Sequence, residues 1–180
     1  MENPIETLFE EHTIIANALE IAREAAALIG KDNEQYDSTL RRLIVFFREY
    51  ADGYHHQKEE TILFPELAKK SELMAEGIIL EMNENHEDFR EKIGMIEKCL
   101  NEGNYPKAHK IMDRYAEALL DHIGAENDEL FQTAGSLLSA EEQKAMYFKF
   151  QDCDNSLGIE KKAELIEMAS GLRAVLLTGV

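Results

Sequence analysis

Two stretches of the chain repeat the same arrangement of one imidazole and one carboxylate. His55 and Glu59 in the first stretch, and His122 and Glu126 in the second, form the pattern His-x-x-x-Glu, followed four positions later by Leu-Phe. Residues four apart lie on one face of an α-helix, one turn from each other. Each stretch therefore directs an imidazole and a carboxylate toward one point. The rest of the chain is interpreted as the frame that brings the two pairs together.

Two further histidines lie on apolar helix faces. His12 falls on the apolar stripe of a predicted first helix, and His86 lies in the middle of an uninterrupted seam of apolar residues in a predicted third helix. An imidazole among apolar neighbours needs a partner for at least one ring nitrogen. Considered alone, His12 is best explained as a hydrogen-bonded core histidine. His109 faces away from the inward side of the fourth predicted helix and is predicted to be a surface histidine without a metal role.

The composition limits the functional classes. The chain has 180 residues, enough for one domain with a full core, and carries a formal charge of −17 from 36 acidic and 19 basic residues. Such a surface repels nucleic acid and anionic lipid, so neither is an expected partner, but it does not oppose binding of a cation. No secretory signal or membrane-spanning run is recognised. Cys99 and Cys153 are isolated, as expected for idle thiols in a reducing cytoplasm.

The pattern of capping and apolar residues predicts helices throughout. The first helix begins at Asn3 and Pro4 and is closed by Gly30. The second begins at Asp37 or Ser38, and Pro65 is expected to kink or end it. Gly53 in its middle suggests that a neighbouring backbone needs room there.

Further helices follow in the C-terminal half. The third helix ends at Gly103, the fourth runs from Pro106 to about Gly135, and a capping box at Ser139 opens a fifth that reaches about Phe150. A sixth, more weakly amphipathic helix follows Gly158.

Four long helices with short connections predict an all-α fold, an up-down-up-down four-helix bundle. The bundle is predicted to occupy residues 1–135, and residues 136–180 form a helical extension. This extension is expected to pack on the bundle or to take part in a dimer contact, and its sequence indicates no chemistry of its own.

The inward histidines and carboxylates cannot all remain unpaired in a core, and one shared partner, a pair of metal ions, would satisfy them together. Imidazole with carboxylate suits iron, zinc, copper or manganese, and the lack of thiolate argues against a structural zinc site. The excess of neutral ligands favours reversible oxygen chemistry over strong oxidants. The candidate metal ligands are His12, His55, His56, Glu59, His86, His122 and Glu126.

These residues, with their neighbours, resemble a known family. Glu11-His12, the run from His55 to Pro65, the lone His86 and the run from His122 to Phe131 are similar to the hemerythrin-like, or HHE cation-binding, family over about residues 5–135. The tail resembles the C-terminal region of longer prokaryotic members. The resemblance implies two iron ions in a non-haem centre that binds dioxygen or, in some members, senses oxygen or handles nitric oxide. It also implies terminal ligands and bridging carboxylates, namely His12, His55, His86 and His122 as terminal ligands and Glu59 and Glu126 as bridges.

The chain departs from the family pattern at the third helix. Blood-type hemerythrins take two histidines from that helix, whereas Met82 and Arg90 stand one turn either side of His86. His56 is the natural fifth histidine, and the alternative is a six-ligand site with a water or an open position. His56 and Glu60 form an equally good pair four residues apart, although the internal repeat favours Glu59.

A second departure follows the second copy of the repeat. Gln132 replaces a proline that is common in the family, and this change is expected to alter the end of the fourth helix more than the metals.

Three functions are compatible with this reading. The favoured one is a non-enzymatic protein that binds or senses dioxygen, with a small dry pocket walled by Met82, Phe89, Tyr115 and Leu119. The second is a redox enzyme that acts on nitric oxide or peroxide, or repairs iron–sulfur clusters, and needs an electron donor. The third is an iron store or scavenger, or a metal-stabilised interaction module.

Overall fold

The computed structural model describes residues 3–178, and all regular structure within that range is helical. The helices, numbered in chain order, are α1 at Pro4–Glu24 with a 3-10 turn at Ala25–Leu28, α2 over residues 33–68, α3 at Glu72–Glu76, α4 at Ile78–Asn101, α5 over residues 105–137, α6 at Ala140–Leu157 and α7 at Ile159–Thr178. The long helices α1, α2, α4 and α5 form the predicted four-helix bundle, and α6 and α7 are the additional C-terminal helices. Among residues 3–178, no helix is long and apolar enough to cross a bilayer.

Side-chain caps decide where several helices begin. The side chain of Asn3 accepts a hydrogen bond from the backbone of Ile5, which confirms the predicted start of α1. Asp32 caps α2 by accepting from the backbone of Gln35 at 2.9 Å, so α2 begins at Asn33 and the predicted start at Asp37 or Ser38 is wrong. The capping box of α6 is confirmed, but the helix continues to Leu157, beyond the predicted end near Phe150.

Helix α2 is not a uniform α-helix. It is α-helical at Asn33–Phe46, π-helical at Phe47–His56 and Glu59–Leu63, and α-helical again at Phe64–Ala68. Pro65 therefore does not end α2, because it lies in the first turn of the last segment, where a missing N–H is tolerated.

The wide π turn also explains Gly53. A Cβ at Gly53 would lie 3.1 Å from the carbonyl oxygen of Arg48, five residues earlier in the same helix. The room that Gly53 provides is for the backbone of its own helix and not, as predicted, for a neighbouring one.

The apolar core has two parts. One contains residues of α1, α2, α4, α5 and α7, and the other contains residues near the opposite ends of the bundle helices together with Met146 and Phe150 of α6. Along each bundle helix, the candidate ligands lie where one part gives way to the other. His86, for instance, separates Met82 in one part from Phe89 in the other. A polar layer therefore crosses the middle of the bundle.

The C-terminal helices complete both parts of the core. Leu165, Ala169 and Leu172 of α7 are buried in the first part, and Met146 and Phe150 of α6 are buried in the second. The extension thus packs on the bundle of its own chain. The division of the chain at residue 135 and a dimer contact stay predictions, and residues 1, 2, 179 and 180 lie outside the described residues.

Candidate metal centre

All seven predicted ligands lie together in the polar layer, and all are buried. They form two groups, in each of which the potential ligand atoms lie within 4.8 Å of one another. The His12 group consists of His12, His55, Glu59 and Glu126, and the His86 group consists of His56, Glu59, His86 and His122. Each group combines imidazole nitrogens with carboxylate oxygens, the donor set of a transition-metal site.

Glu59 stands between the two groups. Its Oε1 lies 3.4 Å from Nε2 of His55 and 3.9 Å from Nε2 of His12. Its Oε2 lies 3.7 Å from Nε2 of His86, in the other group. Glu126 also spans the layer, because its Oε2 lies 3.2 Å from Nε2 of His12 and 3.3 Å from Nε2 of His122. Both carboxylates therefore face ring nitrogens of both groups.

Outer partners fix the orientation of three imidazoles. Nδ1 of His12 lies 2.8 Å from Oδ1 of Asn127, and Nδ1 of His86 lies 2.8 Å from Oε1 of Glu60. Since these oxygens accept, each Nδ1 carries the proton and each Nε2 presents its lone pair to the layer. Nδ1 of His55 donates in the same way to Oε2 of Glu11 at 2.9 Å. A second hydrogen bond of this type is what metal-binding histidines commonly make.

Most of the inward-facing nitrogen and oxygen atoms have no hydrogen-bond partner among the described residues. Nε2 of His12 and of His55, and all four carboxylate oxygens of Glu59 and Glu126, are buried without a hydrogen bond of acceptable geometry. Nε2 of His86 and Nε2 of His122 lie only 3.0 Å apart. Burial of so many unpaired polar atoms is costly, and cations between them would satisfy all of them together. The residues present therefore fit a cation-binding centre.

The electrostatics of the layer agree with this conclusion. Burial lowers the pKa of His55 to about 4, and burial also lowers the pKa values of His56 and His86, so these imidazoles are neutral at pH 7. Neutral imidazole is the form that binds a metal. Burial and the nearby charge of Glu126 raise the pKa of Glu59 well above its ordinary value. Two adjacent buried carboxylates cannot both stay ionised unaided, and a cation between them would stabilise both charges.

The outer partners of the two groups differ. Behind the His86 group, Nη2 of Arg90 lies 2.7 Å from Oδ1 of Asp52 and 2.6 Å from Oε1 of Glu60. The same oxygen of Asp52 lies 3.5 Å from Nδ1 of His56, and the same oxygen of Glu60 lies 2.8 Å from Nδ1 of His86. On the other side of the layer, Lys58 donates to Glu11 at 2.6 Å.

The same contacts shift the outer carboxyl groups. Burial opposes ionisation of Glu11, but the hydrogen bond from His55 and the charge of Lys58 outweigh it and lower its pKa to about 2. The hydrogen bonds from His86 and Arg90 likewise lower the pKa of Glu60, against the effect of burial.

None of these residues was predicted from the sequence to be an outer partner, although the repeat contained a signal for two of them. Glu60 and Asn127 each follow the glutamate of a His-x-x-x-Glu pair, and each contacts a lone histidine of the other half of the bundle. Glu60 was an alternative ligand, and the structure places it outside the two groups with its side chain 26% exposed. Glu59, by contrast, is fully buried.

His109 lies outside both groups, as predicted, but it is not a surface residue. Its side chain is only 12% exposed and lies 3.4 Å from Asp113, with the ring centroid 5.9 Å from that of Tyr36. The prediction placed His109 on the surface, whereas its ring lies beside Tyr36 of the neighbouring bundle helix α2.

A pocket of about 280 Å³ adjoins the His86 group. Its lining residues are Phe47, Arg48, Asp52, His56, Phe89, Arg90, Ile93 and Tyr115. Phe89 and Tyr115 were predicted walls, whereas Met82 and Leu119 are buried in the apolar core and do not line it. The pocket is also not apolar throughout, because two arginines and an aspartate border it.

The fold and the site together define an all-helical protein whose bundle encloses a cation-binding layer of histidine and glutamate. The sequence matches the Hemerythrin HHE cation binding domain over residues 3–134, and the chain belongs to this family. The match covers α1 to α5 up to Ala134 and leaves α6 and α7 outside. Comparison with curated proteins finds no match.

Proposed function

We propose that this protein holds two iron ions in the polar layer and binds or senses dioxygen there. The observation that carries the proposal is the position of Glu59, whose two oxygens face histidines of different groups. A carboxylate so placed suits two cations better than one. Family membership supports a cation site, and the donor set, without thiolate, suits iron among the transition metals.

The seven residues have distinct tasks in this proposal. His12 and His55 would hold one ion, His56, His86 and His122 would hold the other, and Glu59 and Glu126, which face both groups, would serve both ions. When bound, iron supplies reversible oxygen binding or one-electron chemistry. The protein supplies neutral imidazoles oriented by Asn127, Glu11 and Glu60, and aromatic rings that limit solvent access. The ring of Phe131, for instance, stacks on His12 with centroids 5.2 Å apart.

Binding of dioxygen is favoured over oxidative catalysis by the balance of donors. Five histidines against two glutamates leave a less anionic centre than a carboxylate-rich one, and this lessens the stabilisation of highly oxidised iron. The pocket beside His56 supplies space for a small ligand next to the layer.

The test is anaerobic loading with ferrous iron, followed by visible spectra after addition and then removal of oxygen. We expect two irons per chain and charge-transfer bands that appear with oxygen and fade without it. His109→Gln is the matched control, since it replaces a histidine outside the layer, and it should load and respond like the wild type. Fewer than two irons per chain would refute the two-ion site.

A redox enzyme that acts on nitric oxide or peroxide is the second candidate. It is favoured by the pocket, which at about 280 Å³ is larger than a diatomic ligand needs and is bordered by Arg90 and Asp52. Bands that persist after oxygen is removed, with iron left ferric until a reductant is added, would support this candidate. Such turnover would require a separate electron donor.

A further inference from the structure

A chain of alternating charges runs from the metal layer to α6. His55 donates from Nδ1 to Oε2 of Glu11 at 2.9 Å, and Oε1 of Glu11 accepts from Nζ of Lys58 at 2.6 Å. Nζ of Lys58 lies 3.6 Å from Oδ1 of Asp154, and Asp154 also accepts from Lys162 at 3.0 Å. Two carboxylates and two ammonium groups alternate, so the chain of contacts has no net charge.

Lys58 is the central member of this chain and is completely buried. A buried ammonium group needs partners on all sides because it cannot keep its water. Glu11 of α1 supplies one partner. The others come largely from α6, since Asp154 lies on one side and the ring of Phe150 has its centroid 5.3 Å from Nζ. The ring of Tyr54, at 3.7 Å, completes the enclosure, and its hydroxyl donates to Asp154.

The internal repeat shows that this arrangement is specific to one half of the bundle. Where the first copy has Lys58, the second copy has Ala125, and where Glu11 precedes His12, Asn85 precedes His86. His122, which corresponds to His55, therefore has no equivalent lysine-held carboxylate among these positions. The helix that encloses Lys58 also lies outside the matched region of residues 3–134.

We propose that α6 is a functional part of the metal centre, with Asp154 and Lys58 as positioning residues for His55. Asp154 anchors Lys58, Lys58 fixes the carboxylate of Glu11, and Glu11 sets the orientation of the His55 ring toward the layer. This inference rests on the proposed metal site. Its consequence is that the ion in the His12 group responds to changes in α6, whereas the ion in the His86 group does not.

The experiment is an anaerobic titration of metal-free protein with ferrous iron or with Co²⁺ as a spectroscopic probe. Asp154→Asn keeps the size of the side chain but removes the charge that anchors Lys58. We expect it to weaken one of the two binding steps by about 10-fold, the lower end of the effect of outer-shell changes, and to leave the other within about 2-fold. Asn127→Ala and Glu60→Gln identify the steps, because their side chains contact His12 and His86 respectively.

A double-mutant cycle tests whether Asp154 acts through Glu11. If it does, adding Asp154→Asn to Glu11→Gln should weaken the His12 step by less than about 2-fold further, because the connection is already broken. Additive effects would overturn the proposed route. The thermal stability of each metal-free variant is recorded in parallel.

Met146→Ala is the matched control for loosened packing of α6. Met146 is buried on the same helix, in the core part near one end of the bundle. It should lower the melting temperature without changing the ratio of the two binding steps. If Asp154→Asn weakened both steps equally, in proportion to its loss of stability, α6 would have only a structural role and the proposal would fail.

The outcomes separate this inference from the proposed function. A wild type that binds fewer than two ions would refute both. A wild type that binds two ions, together with an Asp154→Asn variant that titrates identically, would refute the role of α6 alone.

Discussion

The two ligand groups use the same residue types inside the layer but differ in how far their outer partners are exposed to solvent. Behind the His12 group, Lys58 and Glu11 are buried and covered by α6. Behind the His86 group, the side chains of Arg90 and Asp52 are about one-third exposed, at 32% and 31%, and line a pocket. Behind His55 the layer is therefore closed and held by the fold, and behind His56 and His86 it is reachable from solvent.

This difference assigns different tasks to similar residues. Under the proposed function, an external ligand would reach the layer most directly from the side of His56, since His56 itself lines the pocket. The sequence repeat conceals this contrast, because the two His-x-x-x-Glu pairs look equivalent.

Loss of Glu59 should have the largest effect, because this side chain serves both groups. Glu59→Ala should abolish binding of both ions and with it the stabilisation that bound metal confers, about 2.7 kcal/mol for each ion at a free metal concentration 100 times its Kd. Metal content per chain and melting curves with and without metal are the measurements. The metal-free variant should not melt earlier than metal-free wild type, because a buried carboxyl group without a good partner is removed. Retention of one tightly bound ion would show that the groups are independent.

Loss of Arg90 should affect the open side alone. Arg90→Met removes the guanidinium that holds Asp52 and Glu60, and we expect the His86 step of a metal titration to weaken by about 10-fold while the His12 step is retained. Arg48→Met, which removes a neighbouring pocket arginine paired with Glu97, is the control and should leave both steps unchanged. Equal weakening of both steps would contradict the contrast between the two sides.

Narrowing the pocket should slow the entry of small ligands to the polar layer without changing the metal content of the protein. Ile93→Phe adds bulk to the pocket wall, so the reaction of the iron-loaded protein with oxygen or azide should be several-fold slower in stopped-flow measurements. Ile79→Phe adds the same bulk to the other core part and is the control for overpacking. If both variants reacted at the wild-type rate with full metal content, the pocket would not be the route of entry.

The smallest expected effect concerns the π turn of α2. Alanine normally stabilises a helix interior by up to about 1 kcal/mol relative to glycine. Gly94→Ala on α4 should show such a gain, because a Cβ there meets no atom within 4 Å. Gly53→Ala should show none, since its Cβ would press on the carbonyl of Arg48. The measurement is the melting temperature of each variant. A rise in melting temperature for both variants would mean that the π turn relaxes easily.

The sequence predicted the parts of this molecule that depend on periodicity. The alternating seam of α4, the bundle and the meeting of seven polar residues in one layer all follow from helical spacing. The same reasoning missed what depends on contacts between distant segments. Lys58 is adjacent in sequence to a candidate ligand and looks like an exposed lysine, and only the packing of α6 shows that it is buried.

Helical periodicity also could not predict the local backbone geometry at the candidate ligands. The π turns Glu59–Leu63 and Glu126–Leu130 begin at the two bridging candidates, and in each the phenylalanine that follows donates its N–H to the carbonyl of the glutamate five residues earlier. A wheel drawn at 3.6 residues per turn cannot represent them. The Leu-Phe that follows each pair is part of the sequence repeat, but the repeat alone does not show that these residues end a π turn.

The polar layer that divides the core has a consequence for how the chain folds. Each apolar part draws on several helices and can collapse by itself, whereas the layer between them gains its stability only when its nitrogen and oxygen atoms are satisfied. If the layer holds metal, we therefore expect metal binding to be coupled to the ordering of the layer. In the metal-free protein the middle turns of the four helices would be the weakest stretch, and amide exchange there would be faster than in the turns on either side.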